Sequence, residues 1–150
     1  MKTIRTILHP TDFSSASHFA MELACMLARE QRARLLLLHV VPRLQAKEGV
    51  PPLADEYQFE LQRYQEDMKD KLRSLSMADS TVQIEYLQKE GEVADVIVRV
   101  ADETASDLIV LGSHGRTGQH RLLMGATSEM VLRDATCPVL LVKMAGEKSS

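Results

Sequence analysis

Leu108-Ile109-Val110-Leu111-Gly112-Ser113-His114-Gly115-Arg116-Thr117-Gly118 is the stretch on which the fold turns. Four large aliphatic residues run unbroken into a glycine. A strand with one wet face would alternate, so this pattern predicts a strand covered on both faces. Three glycines, Gly112, Gly115 and Gly118, then fall within seven residues, and Gly125 precedes the next helical segment. A buried strand that ends in a glycine-rich turn is the βα junction of an open parallel sheet.

Working outward, the same unbroken apolar pattern recurs at Thr3–His9, Arg34–Val41 and Val139–Val142. Thr81–Leu87 differs. There Val82, Ile84 and Tyr86 alternate with Gln83 and Glu85, which predicts a strand nearer a sheet edge with one wetter face. Between the strands the period changes to that of a helix. Ala16, Phe19, Ala20, Leu23, Ala24 and Leu27 recur at three and four, with Ser14 or Ser15 available as N-cap. Leu61, Tyr64, Met68, Leu72 and Leu75 do so on a charged segment from Asp55 to Met77. Val93, Ala94, Ile97 and Ala101 follow Gly91, and Met130, Val131 and Ala135 precede Cys137-Pro138. The order β-α-β-α-β-α-β-α-β predicts one α/β domain: a single open, mainly parallel five-stranded sheet with helices on both faces. The domain covers residues 1–144, with 145–150 as a polar tail. Pro42–Ala54, with its prolines and no period, reads as a long loop.

Composition narrows the function classes. Of 150 residues, 45% are apolar and 26% charged, with 18 Lys and Arg against 21 Asp and Glu. That content rules out a disordered chain, and a net charge of -3 argues against a nucleic-acid binder. No apolar run reaches the ~18–20 residues of a membrane span. No signal-peptide core opens the chain, and Cys25 and Cys137 make no disulfide framework. A cytoplasmic protein is the expectation.

In an open parallel sheet, ligands collect at the carboxyl ends of the strands where strand order reverses. Those ends carry His9-Pro10-Thr11-Asp12, His39-Val40-Val41 and Gly112 to Gly118. Glycines let backbone N–H groups approach a ligand, a helix N-terminus adds unpaired donors, and Arg116 and Arg121 add charge. The stretch is neither a Walker A loop nor a dinucleotide fingerprint. Spacing alone leaves a phosphate loop and an ordinary glycine-rich turn both open.

The stretch Asp107 to Gly115, then nine residues, then Gly125, resembles the universal stress protein family, whose nucleotide-binding members carry Gly-x2-Gly-x9-Gly-Ser/Thr. Ile7-Leu8-His9-Pro10-Thr11-Asp12-Phe13-Ser14, His39-Val40 and Cys137-Pro138-Val139-Leu140-Leu141-Val142 are similar to it too. The resemblance implies a flavodoxin-like, adenine-nucleotide alpha hydrolase-like sheet of order 3-2-1-4-5. It implies a site for ATP, with Mg2+ or Mn2+ on the phosphates. Pro10, Thr11 and Asp12 would lie at the adenosine, Asp12 at the ribose. The backbone at Val40 and Val41 would meet adenine. Gly112, His114, Gly115, Arg116, Gly125, Ala126, Thr127 and Ser128 would hold the phosphates. One position departs: Ala126 stands where the motif has Ser or Thr. A serine there would offer a phosphate donor and a capping box with Glu129. Ser128 is a candidate substitute.

Competing readings sit beside these. His9, His39 and His114 have the residue type of a zinc site, but hydrogen-bonded strand-end histidines account for them as well. Asp12 is either a ligand group or the cap of the first helix. Cys25 and Cys137 read as small buried residues. No nucleophile–base pair is forced, so no catalytic residue and no protein metal ligand is assigned. An ATP-dependent binding module in stress response, a nucleotide-free regulatory homodimer and a slow ATPase all remain. The last apolar run, Val139-Leu140-Leu141-Val142, follows the final helix and predicts an edge strand. Such an edge invites antiparallel self-pairing into a homodimer, which the resemblance also implies.

Overall fold

The computed structural model describes residues 3–13, 15–41, 62–63, 66–67, 70, 81–113 and 126–143. In chain order the elements are β1 (Thr6–Pro10), α1 (Ser15–Gln31), β2 (Arg34–Val41), β3 (Ile84–Glu90), α2 (Val93–Glu103), β4 (Leu108–Gly112), α3 (Ala126–Asp134) and β5 (Val139–Val142). The strands form one sheet of order β3-β2-β1-β4-β5. All four pairings are parallel. This is the flavodoxin-like arrangement, and the order reverses between β1 and β4.

Strand parity sorts the core into two layers, because successive side chains point to opposite faces. Ile7, Leu35, Leu37, Val110 and Val142 pack with Ala20, Met21, Ala24, Cys25 and Ala28 of α1. Leu8, Leu36, Leu38, Val40, Ile109 and Leu111 pack on the other face with α2 and with Val131 of α3. Both faces are therefore covered, as the unbroken apolar runs required. The ends are tied by side chains. Asp107 Oδ2 accepts the Arg5 and Thr6 N–H groups at 2.8 and 3.0 Å, binding the start of β1 to the start of β4.

Three expectations need correction. The alternating strand lies at Ile84–Glu90, not Thr81–Leu87. The ladder with β2 runs from Leu35↔Ile84 to Val41↔Glu90, so it recruits the backbone of Gln88, Lys89 and Glu90 despite their polar side chains. Within it Tyr86 is 39% exposed. The first strand begins at Thr6 rather than Thr3 and extends through Pro10. Cys25 is buried as expected, whereas Cys137 is only half-buried. The loop Pro42–Ala54, the tail from 145 and most of the Asp55–Met77 segment lie outside the described residues. The described positions of that segment, 62–63, 66–67 and 70, have helical backbone.

Candidate functional site

At the carboxyl end of β1 the chain turns sharply into α1. Thr11 N–H donates to the Leu38 carbonyl at 2.8 Å, a last rung beyond the strand. Thr11 Oγ1 accepts the Phe13 N–H at 3.0 Å, a side-chain turn that bends the backbone. Phe13 sits at φ 63, a conformation that costs a non-glycine residue about 1–3 kcal/mol. What the strain achieves is the placing of Asp12. Ser17, on the first turn of α1, donates Oγ–H to Asp12 Oδ1 at 2.7 Å, and the Asp12 N–H donates back to Ser17 Oγ at 3.3 Å. Asp12 is thus partly a helix-turn partner, as one of its readings proposed, and it stands at the switch point between β1 and β4.

Two histidines support this turn from inside the sheet. His9 Nδ1 lies 2.8 Å from the Val110 carbonyl, and His39 Nδ1 lies 3.1 Å from the Thr11 carbonyl. Carbonyls only accept, so in both rings Nδ1 carries the proton. Among the described residues no three His, Cys, Asp or Glu side chains gather to hold a metal ion.

His9 is fully buried, and among the described residues its Nε2 meets no partner at hydrogen-bond geometry. Burial holds this imidazole below its ordinary value of 6.5, against the weaker upward pulls of the Val110 carbonyl, the Ser17 backbone and the Asp12 charge. Below pH 6.5 the unfolded chain takes a proton that the folded one refuses. Stability is therefore whole above that pH and falls as pH drops below it, by up to about 1.4 kcal/mol per unit. Urea midpoints between pH 7.5 and 5 should show this slope. His9→Asn, whose amide retains a donor for Val110, should flatten it.

Pro10, Thr11, Asp12 and Val40 come together with Leu38, His39 and Val93 around a cleft of about 10 Å3, room for one water. Val41, the next residue of β2, is buried, and its carbonyl accepts the Gly91 N–H at 3.0 Å. Gly112 closes β4 opposite Val142. His114, Gly115, Arg116 and Gly125 lie outside the described residues. Ala126, exposed, is already the first residue of α3. Whether a serine at 126 could form the expected capping box with Glu129 turns on the residues before it, which lie outside the described residues. Ser128 is buried and Thr127 half-buried, which leaves Thr127 the more accessible hydroxyl. Sequence reasoning missed Ser17, Phe13 and Val93. A serine five residues after an aspartate at a strand end was the available signal for the first of these.

A larger cleft of about 610 Å3 opens at the amino ends of the strands, between Ile4, Asp102, Asp107, Thr136 and Cys137. Its polar groups are already engaged. Thr136 Oγ1 donates to Asp102 Oδ1 at 2.6 Å, and Asp107 holds β1. Burial lifts the Cys137 thiol above its ordinary value, which leaves it protonated and a poor nucleophile at neutral pH. Volume alone does not make this the site.

Comparison with known proteins supplies the remaining observation. The model of the universal stress protein family matches residues 3–143. The universal stress protein MJ0577 of Methanocaldococcus jannaschii is 27% identical, covering 93% of this chain and 94% of its own. Its solved structure superposes with a TM-score of 0.77 over 99% of this chain and 100% of that one. YxiE of Bacillus subtilis, also a universal stress protein, is 33% identical over 88% of this chain and 94% of its own. A universal stress protein solved in complex with cAMP shares the fold at 22% identity, with a TM-score of 0.67 over 95% of this chain and 98% of that one.

Proposed function

This chain belongs to the universal stress protein family, and from that premise we propose that it is an ATP-binding module whose occupancy alters its conformation or its partners in stress response. The observation that carries the reading is the held aspartate. Asp12 is fixed by Ser17 at the one place in the sheet where strand order reverses, and that is where open α/β sheets take ligands. The Asp12 carboxylate would accept from the ribose, and the Val40–Val41 backbone would meet adenine. The N-terminus of α3, with the glycines before it, would take the phosphates. Mg2+ or Mn2+ would arrive on the phosphates rather than in a protein cage. No helix among the described residues is long and apolar enough to cross a membrane, and neither Cys25 nor Cys137 is in a disulfide. The cytoplasm is the compartment we assign. The proposed assembly is a homodimer through β5.

Titration calorimetry with ATP and Mg2+ tests the site. Asp12→Ala is expected to weaken binding about ten- to hundred-fold, the worth of a hydrogen bond to a charged group. Asp12→Asn keeps an oxygen for Ser17 while removing the charge, and so separates ligand loss from loosening of α1. A folded protein that takes up no ATP at millimolar concentration, and purifies without nucleotide by native mass spectrometry, would sink the reading. The nucleotide-free regulatory dimer would then stand, and Ala126 is the residue that favours it.

A further inference from the structure

β2 outruns β1. Their last register pair is Pro10↔Leu38, whereas β2 continues beside β3 to Val41↔Glu90. The chain leaving β1 must therefore be held over the surplus of β2 by something other than the ladder. His39 does this. It follows four leucines, 35–38, and continues the face on which Leu35 and Leu37 pack against α1. At 2% exposure it lies under the turn, its Nδ1 at 3.1 Å from the Thr11 carbonyl and its ring 5.0 Å from that of Phe13. A leucine would fill this space as well as its neighbours do, but it has no proton to give.

The Thr11 carbonyl and the Asp12 N–H are two ends of one peptide plane, which is rigid. His39 grips the first end from β2, and Ser17 grips the second from α1 at 3.3 Å. We propose that His39 is a positioning residue of the nucleotide site: it pins the Thr11–Asp12 peptide plane, so that the carboxylate of Asp12 is set before the ligand arrives. Pre-set groups bind more tightly because the ordering cost is already met in the fold. The ligand half of this proposal rests on the nucleotide reading. The pinning of the plane does not.

Three variants test it. His39→Leu keeps the packing and loses the donor. His39→Asn carries an amide N–H at the position of Nδ1, and His39→Gln carries one at the position of Nε2. In His39→Leu the amide hydrogens of Asp12 and Phe13 are expected to exchange about tenfold faster, and ATP to bind about tenfold more weakly, the effect of one lost hydrogen bond. His39→Asn should recover most of both, and His39→Gln neither. Nitrogen-15 NMR of the unmodified protein should show the His39 proton on Nδ1. Unchanged exchange in His39→Leu, equal behaviour of the Asn and Gln variants, or a proton on Nε2 alone would each overturn the proposal. So would ATP affinity that His39→Leu leaves intact. If His39→Leu does not fold, the Asn and Gln pair decides. If the unmodified protein binds no ATP, the nucleotide reading fails, and exchange with the Asn rescue still decides the pinning.

Discussion

Leu37→Ala is expected to destabilise the protein by about 2–5 kcal/mol, a large part of the 5–15 kcal/mol that holds a typical domain together. Leu37 is fully buried in β2. It stands in register with His9 of β1 on one side and Tyr86 of β3 on the other, and its side chain lies in the layer under α1. Truncation removes three carbons from a place where two strands and a helix meet. Backbone hydrogen bonds on both sides of β2 keep the strands from closing the gap, so the cavity term adds to the lost transfer energy. The same strand delivers His39 two residues later, so the turn that holds Asp12 should loosen along with the core. Urea unfolding with an unchanged slope and a lowered midpoint is the measurement. A loss below about 1 kcal/mol would mean that the layer collapses around the gap and packs less tightly than full burial implies. Leu132→Ala, at a residue 48% exposed on α3, serves as the control and should stay within about 0.5 kcal/mol.

The layered fold was legible because burial on both faces leaves unbroken apolar runs. Arg34–Val41, Leu108–Gly112 and Val139–Val142 were read with the bounds they have in the structure. β3 was displaced because its last three residues are held by backbone pairing to β2, and a hydropathy pattern does not record a partner's length. Strand order was not in the periodicity at all. It came with the resemblance, since the same alternation of strands and helices fits several orders. The site was half legible. Asp12 and the Val40–Val41 backbone could be placed because strand ends are where ligands sit. The contacts that hold Asp12 could not, since the bond between His39 and Thr11 spans 28 residues of chain.

Leu141→Pro should turn the proposed dimer into a monomer while leaving the sheet standing. β5 lies at the end of the sheet and pairs with β4. Its Pro138 and Val142 carbonyls accept the Ile109 and Ser113 N–H groups at 3.0 and 2.7 Å. In a parallel ladder the residues of a strand direct their backbone groups alternately to either side. Residues 138, 140 and 142 therefore address β4, and Val139 and Leu141 direct both N–H and C=O to the side away from β4, which pairs with no other strand among the described residues. Leu140 and Leu141 are 37% and 38% exposed, an apolar edge without the charges that usually blunt one. A two-fold antiparallel pairing would use the outward groups of 139 and 141, because that is the closed arrangement open to identical chains. Proline at 141 deletes an outward donor and costs β4 nothing, as edge strands tolerate proline whose missing N–H would face outward. Proline at 140 would instead remove an N–H that faces β4, and should unfold the edge. Light scattering should therefore give twice 16.8 kDa for the unmodified protein and 16.8 kDa for Leu141→Pro. Circular dichroism should show the helices and sheet retained. A monomer at tens of micromolar before any substitution, or a dimer that survives the proline, would mean that this edge is not the interface.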